Sequence, residues 1–180
     1  YSLTADSDSA LSIDASSGAV TLNADPDAEA QSQYSFAVVA PDAAGNESEA
    51  HSVTLDINNL DEVAPTVTSG DAADAIDENS GAGQVIYTAS ADDSGDVSNG
   101  VIFSLAAGSD AALSIDAATG AVTLNADPDA EAQSQYSFAV VATDAAGNES
   151  AAQSVTLDIN DLDDTAATIT SGATAAAIDE

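Results

Sequence analysis

The chain has 180 residues, among them 32 Asp and Glu, one His and no Lys or Arg, which gives a formal net charge of −32. That balance excludes ordinary nucleic-acid binding, which needs Lys and Arg to neutralise phosphates, and it opposes insertion into or contact with anionic membranes. Only salt screening or bound cations can offset the self-repulsion, so the composition suits a saline, calcium-containing medium, and with no cysteine no disulfide can supply the stapling.

Sliding the sequence against itself by 102 residues aligns 1–78 with 103–180 without a gap, and 61 of the 78 pairs are identical. A unit of that length can bury a core of its own. The register predicts three pieces: 1–62 as the C-terminal part of a first repeat, 63–164 as a complete repeat, and 165–180 as the N-terminal strand of a third. Hydrophobic residues make up 44% of the chain and fall in runs of period two, which argues for β-structure over disorder.

Within the complete repeat the first strand covers 66–69. The second covers 84–91, with Val85, Tyr87, Ala89 and Ala91 on one face. Strands over 101–106 and 112–116 follow, and the turn Ala117-Ala118-Thr119-Gly120 leads into another over 121–125, its glycine supplying the positive φ that a tight hairpin needs. The sixth, 135–143, places Tyr136, Phe138, Val140 and Ala142 on one face, and the seventh, 153–159, does the same with Val155, Leu157 and Ile159. Residues 71–75 could form at most one turn of helix. All seven aromatics fall in strand positions, where core packing is their expected task. Seven short strands separated by turn signals predict an all-β fold of antiparallel, seven-stranded, Ig-like β-sandwiches in tandem.

After the last strand of each repeat comes an acidic junction, Asn59-Leu60-Asp61-Glu62-Val63-Ala64-Pro65 and, 102 residues later, Asp161-Leu162-Asp163-Asp164-Thr165-Ala166-Ala167. Two carboxylates about 4 Å apart repel by roughly 4 kcal/mol at an effective dielectric near 20, so such a cluster asks for a cation. Calcium fits, because it accepts many carboxylate, amide and carbonyl oxygens in loose geometry.

These residues resemble a cadherin repeat, in the variant found in tandem in large calcium-dependent, RTX-type adhesins of Gram-negative bacteria. The family's linker Asp-x-Asn-Asp-x-Ala-Pro is matched in spacing by Asn59 to Pro65. Its Pro-Glu-Asn is met by Asp77-Glu78-Asn79, its Ala-x-Asp by Ala91-Asp92-Asp93, and its Phe-x-Ile-Asp-x-x-Thr-Gly hairpin by Leu113 to Gly120. Asp129-Ala130-Glu131 matches Asp-x-Glu, and Tyr136 to Asp144 matches Tyr-x-Phe-x-Val-x-Ala-x-Asp. Departures from the pattern are Asn59 for the first linker aspartate, Asp61 and Asp163 for asparagine, and Gly95 at a second acidic position, with Asp96 one residue late, which leaves that ligand lost or shifted.

The resemblance implies a ligand set for calcium. The first junction takes Asp27, Glu29, Asn59, Asp61, Glu62, Asp93 and Asp144; the second takes Glu78, Asp129, Glu131, Asp161, Asp163 and Asp164. Asp110 is read as a surface-turn residue outside both. An EF-hand reading of Asp25-Pro26-Asp27-Ala28-Glu29 fails, since Ala30 and Phe36 stand where glycine and glutamate are required. No enzyme is expected: His51 has Gln153 as its counterpart, and no serine has a base and an orienting acid at recognisable spacing.

The function implied is that of a calcium-rigidified structural extender in an extracellular, surface-anchored bacterial adhesin, spacing a ligand-binding region from the cell. The alternative is an adhesive module that itself binds glycan or pairs with like repeats. The partners are neighbouring repeats of the same polypeptide, with no nucleic acid and no direct membrane insertion. Because 1–62 supply only strands three to seven by this register, they are expected to be less ordered than 63–164, or to be completed by another chain through intermolecular strand exchange, with 165–180 supplying the first strand in trans.

Overall fold

A computed structural model of the chain describes residues 1–97 and 100–178. It divides into two compact units: Tyr1–Val63 with the short stretch beginning at Ser94, and Ala64–Asp93 with the described residues from Gly100 onward. Every regular element among the described residues is a β-strand.

The second unit contains β6 (Thr66–Val67), β7 (Ile76–Asp77), β8 (Gln84–Thr88), β9 (Ala91–Asp92), β10 (Val101–Leu105), β11 (Leu113–Ile115), β12 (Ala121–Leu124), β13 (Gln135–Asp144) and β14 (Gln153–Asn160). One sheet has the order β10-β13-β14-β7, a second β11-β12-β8, and β6 pairs with β9. The alternation read in the sequence sets the core: Tyr136, Phe138, Val140 and Ala142 from β13 meet Val155, Leu157 and Ile159 from β14, with Val122, Leu124 and Phe103 completing the cluster. Each large apolar side chain buried here contributes about 1.5–3 kcal/mol. The Tyr87 ring stands edge-on to Phe138, with centroids 5.6 Å apart, and its hydroxyl donates to the Gly70 carbonyl at 2.6 Å.

Three local expectations are corrected. The first strand is confined to β6, Thr66–Val67, an additional strand β7 follows at Ile76–Asp77, and the stretch between them is no helical turn. It runs along β14 instead: the Ala73 N–H donates to the Thr156 carbonyl at 2.8 Å and the Thr156 N–H to the Asp71 carbonyl at 3.3 Å. The second strand is likewise split, and its register against β12 shifts between Val122 and Thr123, which face Tyr87 and Val85. This bulge breaks the alternation, so Ile86 is buried while Val85 is 60% exposed. Asp110 is more than a surface-turn residue, since its Oδ2 accepts the Ser137 N–H at 2.9 Å and its Oδ1 the Gln133 amide at 3.2 Å.

The hairpin between β11 and β12 is built by Asp116, whose Oδ1 accepts the Thr119 N–H at 2.8 Å, the Thr119 hydroxyl at 2.8 Å and the Ala118 N–H at 3.1 Å. These bonds, those from Thr119 first, hold its carboxyl below the usual range. Gly120 follows with φ of 70°. A Cβ there would lie 2.6 Å from the Ala89 carbonyl oxygen, so both the backbone conformation and the space require glycine.

The first unit contains β1 (Ser2–Leu3), β2 (Leu11–Ile13), β3 (Val20–Leu22), β4 (Gln33–Val39) and β5 (His51–Asp56), arranged as a sheet of order β1-β4-β5 and a β2-β3 hairpin. Residues 18–40 are identical to 120–142, and they pair identically: Phe36 faces Val53 as Phe138 faces Val155. The described residues of this unit hold no counterpart of β6 to β9. Burial falls accordingly. Leu11 and Tyr34 are buried, but Phe36, Val38 and Val53 are only half-buried. Tyr1 is 49% exposed and precedes β1, so it is neither in a strand nor in a core.

Candidate metal centre

In the first unit, Glu29 lies in the loop from β3 to β4, Glu62 in the segment after β5, and Asp96 in the stretch beginning at Ser94. Each offers a carboxylate oxygen, and the three oxygens lie within 4.8 Å of one another. Asn59 is tied to this group, its side-chain amide donating to Asp96 Oδ1 at 2.8 Å. The other oxygen of Asp96 is shielded from solvent and has no hydrogen-bond donor among the described residues, and both carboxylate oxygens of Asp61 are shielded too. Loss of solvent first, then the charges of Glu29, Asp96 and Asp27, raise the Glu62 carboxyl above the usual carboxylate range.

Asp96 is the ligand candidate that sequence reasoning did not place. The reason is steric. A Cβ on Gly95 would lie 2.8 Å from Val63 Cγ1, so the backbone at 95 packs too closely for an acidic side chain, and the carboxylate comes from the next residue. The signal available was Asp96 one position late. Asp27 contributes charge to the group, while its own Oδ1 caps the Ala30 N–H at 2.9 Å.

Asp93 and Asp144 belong to the second unit. Asp144 is buried and closes its own turn, where its Oδ1 accepts the N–H groups of Gly147 and Asn148 at 2.7 and 2.8 Å and its Oδ2 the Asn148 amide at 2.8 Å. Burial works to raise its carboxyl, but the bonds from Asn148 and Gly147 outweigh that and hold it below the usual range.

In the second unit, Glu78, Asp129 and Glu131 form the equivalent group, again with one oxygen from each within 4.8 Å of the others. Glu78 is only 2% exposed. Its Oε2 accepts the Ala130 N–H at 2.8 Å and its Oε1 the Leu162 N–H at 2.5 Å, which anchors the segment after β14 to the loop after β12. Those two backbone bonds hold Glu78 below its usual range. Glu131 is lowered by its own N–H, but the hydrogen bond with Glu78, loss of solvent, and the charges of Glu78 and Asp161 together raise it. Asp164 Oδ2 accepts the Asn79 amide at 2.8 Å. Asp161 stands close enough to act on Glu131 by charge, whereas Asp163 is not among the described residues that group there.

The chain has no lysine or arginine side chain to neutralise either group. The donor sets, carboxylate oxygens with the Asn59 or Asn79 amide beside them, fit a hard divalent cation of calcium type.

Comparison with known proteins agrees with the fold. Residues 74–160 match the model of the Cadherin domain, and residues 2–59 match that of a bacterial Ig-like domain. Among solved structures, mouse cadherin-23 EC22-24 is similar with a TM-score of 0.63 at 22% identity, over 91% of this chain and 54% of that one. Drosophila N-cadherin EC1-4 gives 0.64 at 23%, over 89% and 40%, and a protocadherin gammaB7 EC3-6 cis-dimer structure gives 0.60 at 21%, over 91% and 42%. This chain thus spans about half or less of the length of those solved chains. Comparison with curated proteins gives no significant match. The class is that of cadherin-like, all-β sandwich proteins.

Proposed function

We propose that the chain is a calcium-rigidified extender module of an extracellular adhesin. The observation that carries this reading is that each inter-repeat segment meets a carboxylate group holding the matched pair Glu29 or Glu131 from the loop after the β2-β3 or β11-β12 hairpin: Glu62 stands with Glu29 and Asp96, and the Leu162 N–H bonds Glu78, which stands with Asp129 and Glu131. Glu29, Asn59, Asp61, Glu62 and Asp96 would hold one calcium-binding centre, and Glu78, Asp129, Glu131, Asp161 and Asp164 another. Asp27, Asp93, Asp144 and Asp163 remain proposed as outer contributors.

Bound calcium supplies the positive charge that lets these carboxylates crowd together. The protein's part is to fix the segment after β5 or β14 in one path, because the cation favours the clustered arrangement over an open one and shifts that equilibrium. A ten-residue strand such as β13 spans about 30 Å at ~3.3 Å per residue. Stacked repeats with stiff connections therefore give reach, holding a binding region away from a surface. A bacterial cell surface is the setting that the acidity and the repeat pattern fit.

Calorimetric titration of calcium into metal-stripped protein, with small-angle scattering of both states, tests this. Saturable binding with a rise in radius of gyration or in stiffness of the scattering profile is expected. Identical profiles with calcium and with chelator would overturn the extender reading.

A further inference from the structure

Asn79 is the one described residue other than glycine whose backbone turns to positive φ, at 57°. It follows the buried Glu78 in the turn after β7, and its N–H donates to the Pro128 carbonyl at 2.9 Å. Asparagine tolerates left-handed backbone better than most side chains, but glycine does so at no steric cost. The next stretch of chain uses glycine for that purpose, at Gly81 and Gly83, with φ of 96° and 82°. Backbone conformation therefore does not account for the asparagine at 79. What asparagine adds is a side-chain amide.

That amide donates to Asp164 Oδ2 at 2.8 Å, beside the bond of 2.5 Å from the Leu162 N–H to Glu78 Oε1. Adjacent residues after β7 thus hold alternate residues after β14. Glu78 also accepts the Ala130 N–H at 2.8 Å, which ties this grip to the loop that carries Asp129 and Glu131. Asp164 is the counterpart, 102 residues on, of Glu62, which in the first unit offers an oxygen within 4.8 Å of those of Glu29 and Asp96. The first unit shows the same kind of contact, since the Asn59 amide donates to Asp96 Oδ1 at 2.8 Å. The other oxygen of Asp96 is shielded from solvent and takes no donor among the described residues. An amide on one oxygen fixes the direction of a carboxylate and leaves the second oxygen to a cation.

We propose that Asn79 is a positioning residue of the second carboxylate centre: its amide grips one oxygen of Asp164 and so presents the other to calcium bound beside Glu78. This deepens the calcium reading given above and rests on it. The segment that carries Asp164 has no strand of its own, and repulsion from Glu78, Asp129 and Glu131 drives that acid outward. An uncharged donor opposes the drift without neutralising the group, so the full negative charge stays available to the cation. A lysine at 79 would hold Asp164 as well but would compete with the metal. The latch acts before the metal arrives, so the cation meets a ligand already in place and the cost of ordering it is not drawn from binding.

Calcium titration of the metal-stripped full chain, followed by NMR, tests this, with the Ala130 amide reporting on the second centre and the Ala30 amide on the first. Asn79→Gly keeps the left-handed backbone and removes only the side-chain amide. It is expected to weaken calcium binding read at Ala130 by about tenfold or more, while the affinity read at Ala30 and the melting temperature in chelator stay as in wild type. In an Asp164→Ala chain the same glycine change is expected to alter the affinity by less than about twofold, because the acid through which Asn79 acts is gone. Wild-type affinity at Ala130 in Asn79→Gly, or an equal loss from the glycine change with and without Asp164, would overturn the proposal. So would a loss of affinity that comes with a lower melting temperature in chelator, since Asn79 would then serve the fold alone. A wild-type chain whose Ala130 amide gives no response up to about 10 mM calcium, above the range of extracellular calcium modules, would instead overturn the calcium reading itself, and the positioning role with it.

Discussion

Leu55 and Leu157 are the same residue in the same heptapeptide, Ser-Val-Thr-Leu-Asp-Ile-Asn, and both sit opposite a tyrosine, Tyr34 and Tyr136, on the neighbouring strand. Leu157 is wholly buried and Leu55 is 39% exposed. The difference lies outside the heptapeptide: β7 and β8 close the second unit, and the first has no described equivalent.

Truncating the two leucines should therefore have unequal consequences. Leu157→Ala is expected to cost about 2–5 kcal/mol, the usual loss when a buried leucine leaves a cavity. Leu55→Ala is expected to cost below about 1 kcal/mol, as for a partly exposed site. Hydrogen exchange during denaturant titration assigns each loss to its unit. Equal losses would mean that the two faces are covered alike.

Gly120 and Gly18 form a second matched pair. Both have positive φ, 70° and 75°, so alanine at either carries a cost of about 1–2 kcal/mol for left-handed backbone. At Gly120 the added Cβ also meets a backbone carbonyl at 2.6 Å, whereas at Gly18 the nearest atom is the Tyr1 ring at 3.1 Å, which can swing aside. Gly120→Ala is expected to destabilise more than Gly18→Ala, measured by unfolding midpoints of the two chains.

Removing Asp96 should separate metal binding from folding. Asp96→Asn is expected to weaken calcium binding by about tenfold or more, by analogy with lost groups at a metal site, while leaving the melting temperature in chelator unchanged or higher, since it relieves crowding at Glu62. Asp110→Asn should do the opposite, because Asp110 bonds Ser137 and Gln133 and belongs to neither carboxylate group. Calorimetry and thermal melts of both variants decide it; equal losses of bound calcium would misplace the site.

The pH dependence has two signs. Glu62 and Glu131 are raised above an ordinary value of 4.5, so they oppose folding when ionised, and that opposition fades as the pH falls through their folded values towards 4.5. Asp14, Asp116 and Asp144 are lowered below 3.8. Their support is complete above 3.8 and is lost as the pH falls through the lowered values. Metal-free protein should therefore melt at higher temperature as the pH descends towards 4.5, and at lower temperature below 3.8. Glu62→Gln combined with Glu131→Gln should flatten the rise and spare the fall. A rise unchanged in that double variant would assign it to general charge repulsion.

The sequence by itself determined the period of 102, the strands β10 to β14 and the inward faces of β13 and β14, because strict alternation over eight to ten residues leaves only one side of a sheet apolar. It also fixed the hairpin at Asp116 to Gly120, where local hydrogen bonds and a left-handed glycine act within five residues. Tertiary structure decided what local pattern does not encode. The bulge that buries Ile86 and exposes Val85 comes from the register against β12, and the extended path of 71–73 comes from the edge of β14. The choice of Asp96 comes from Val63 closing on Gly95. Above all, two copies of one heptapeptide differ in burial because a strand's pattern names the face to be covered, while the covering itself must come from another part of the fold.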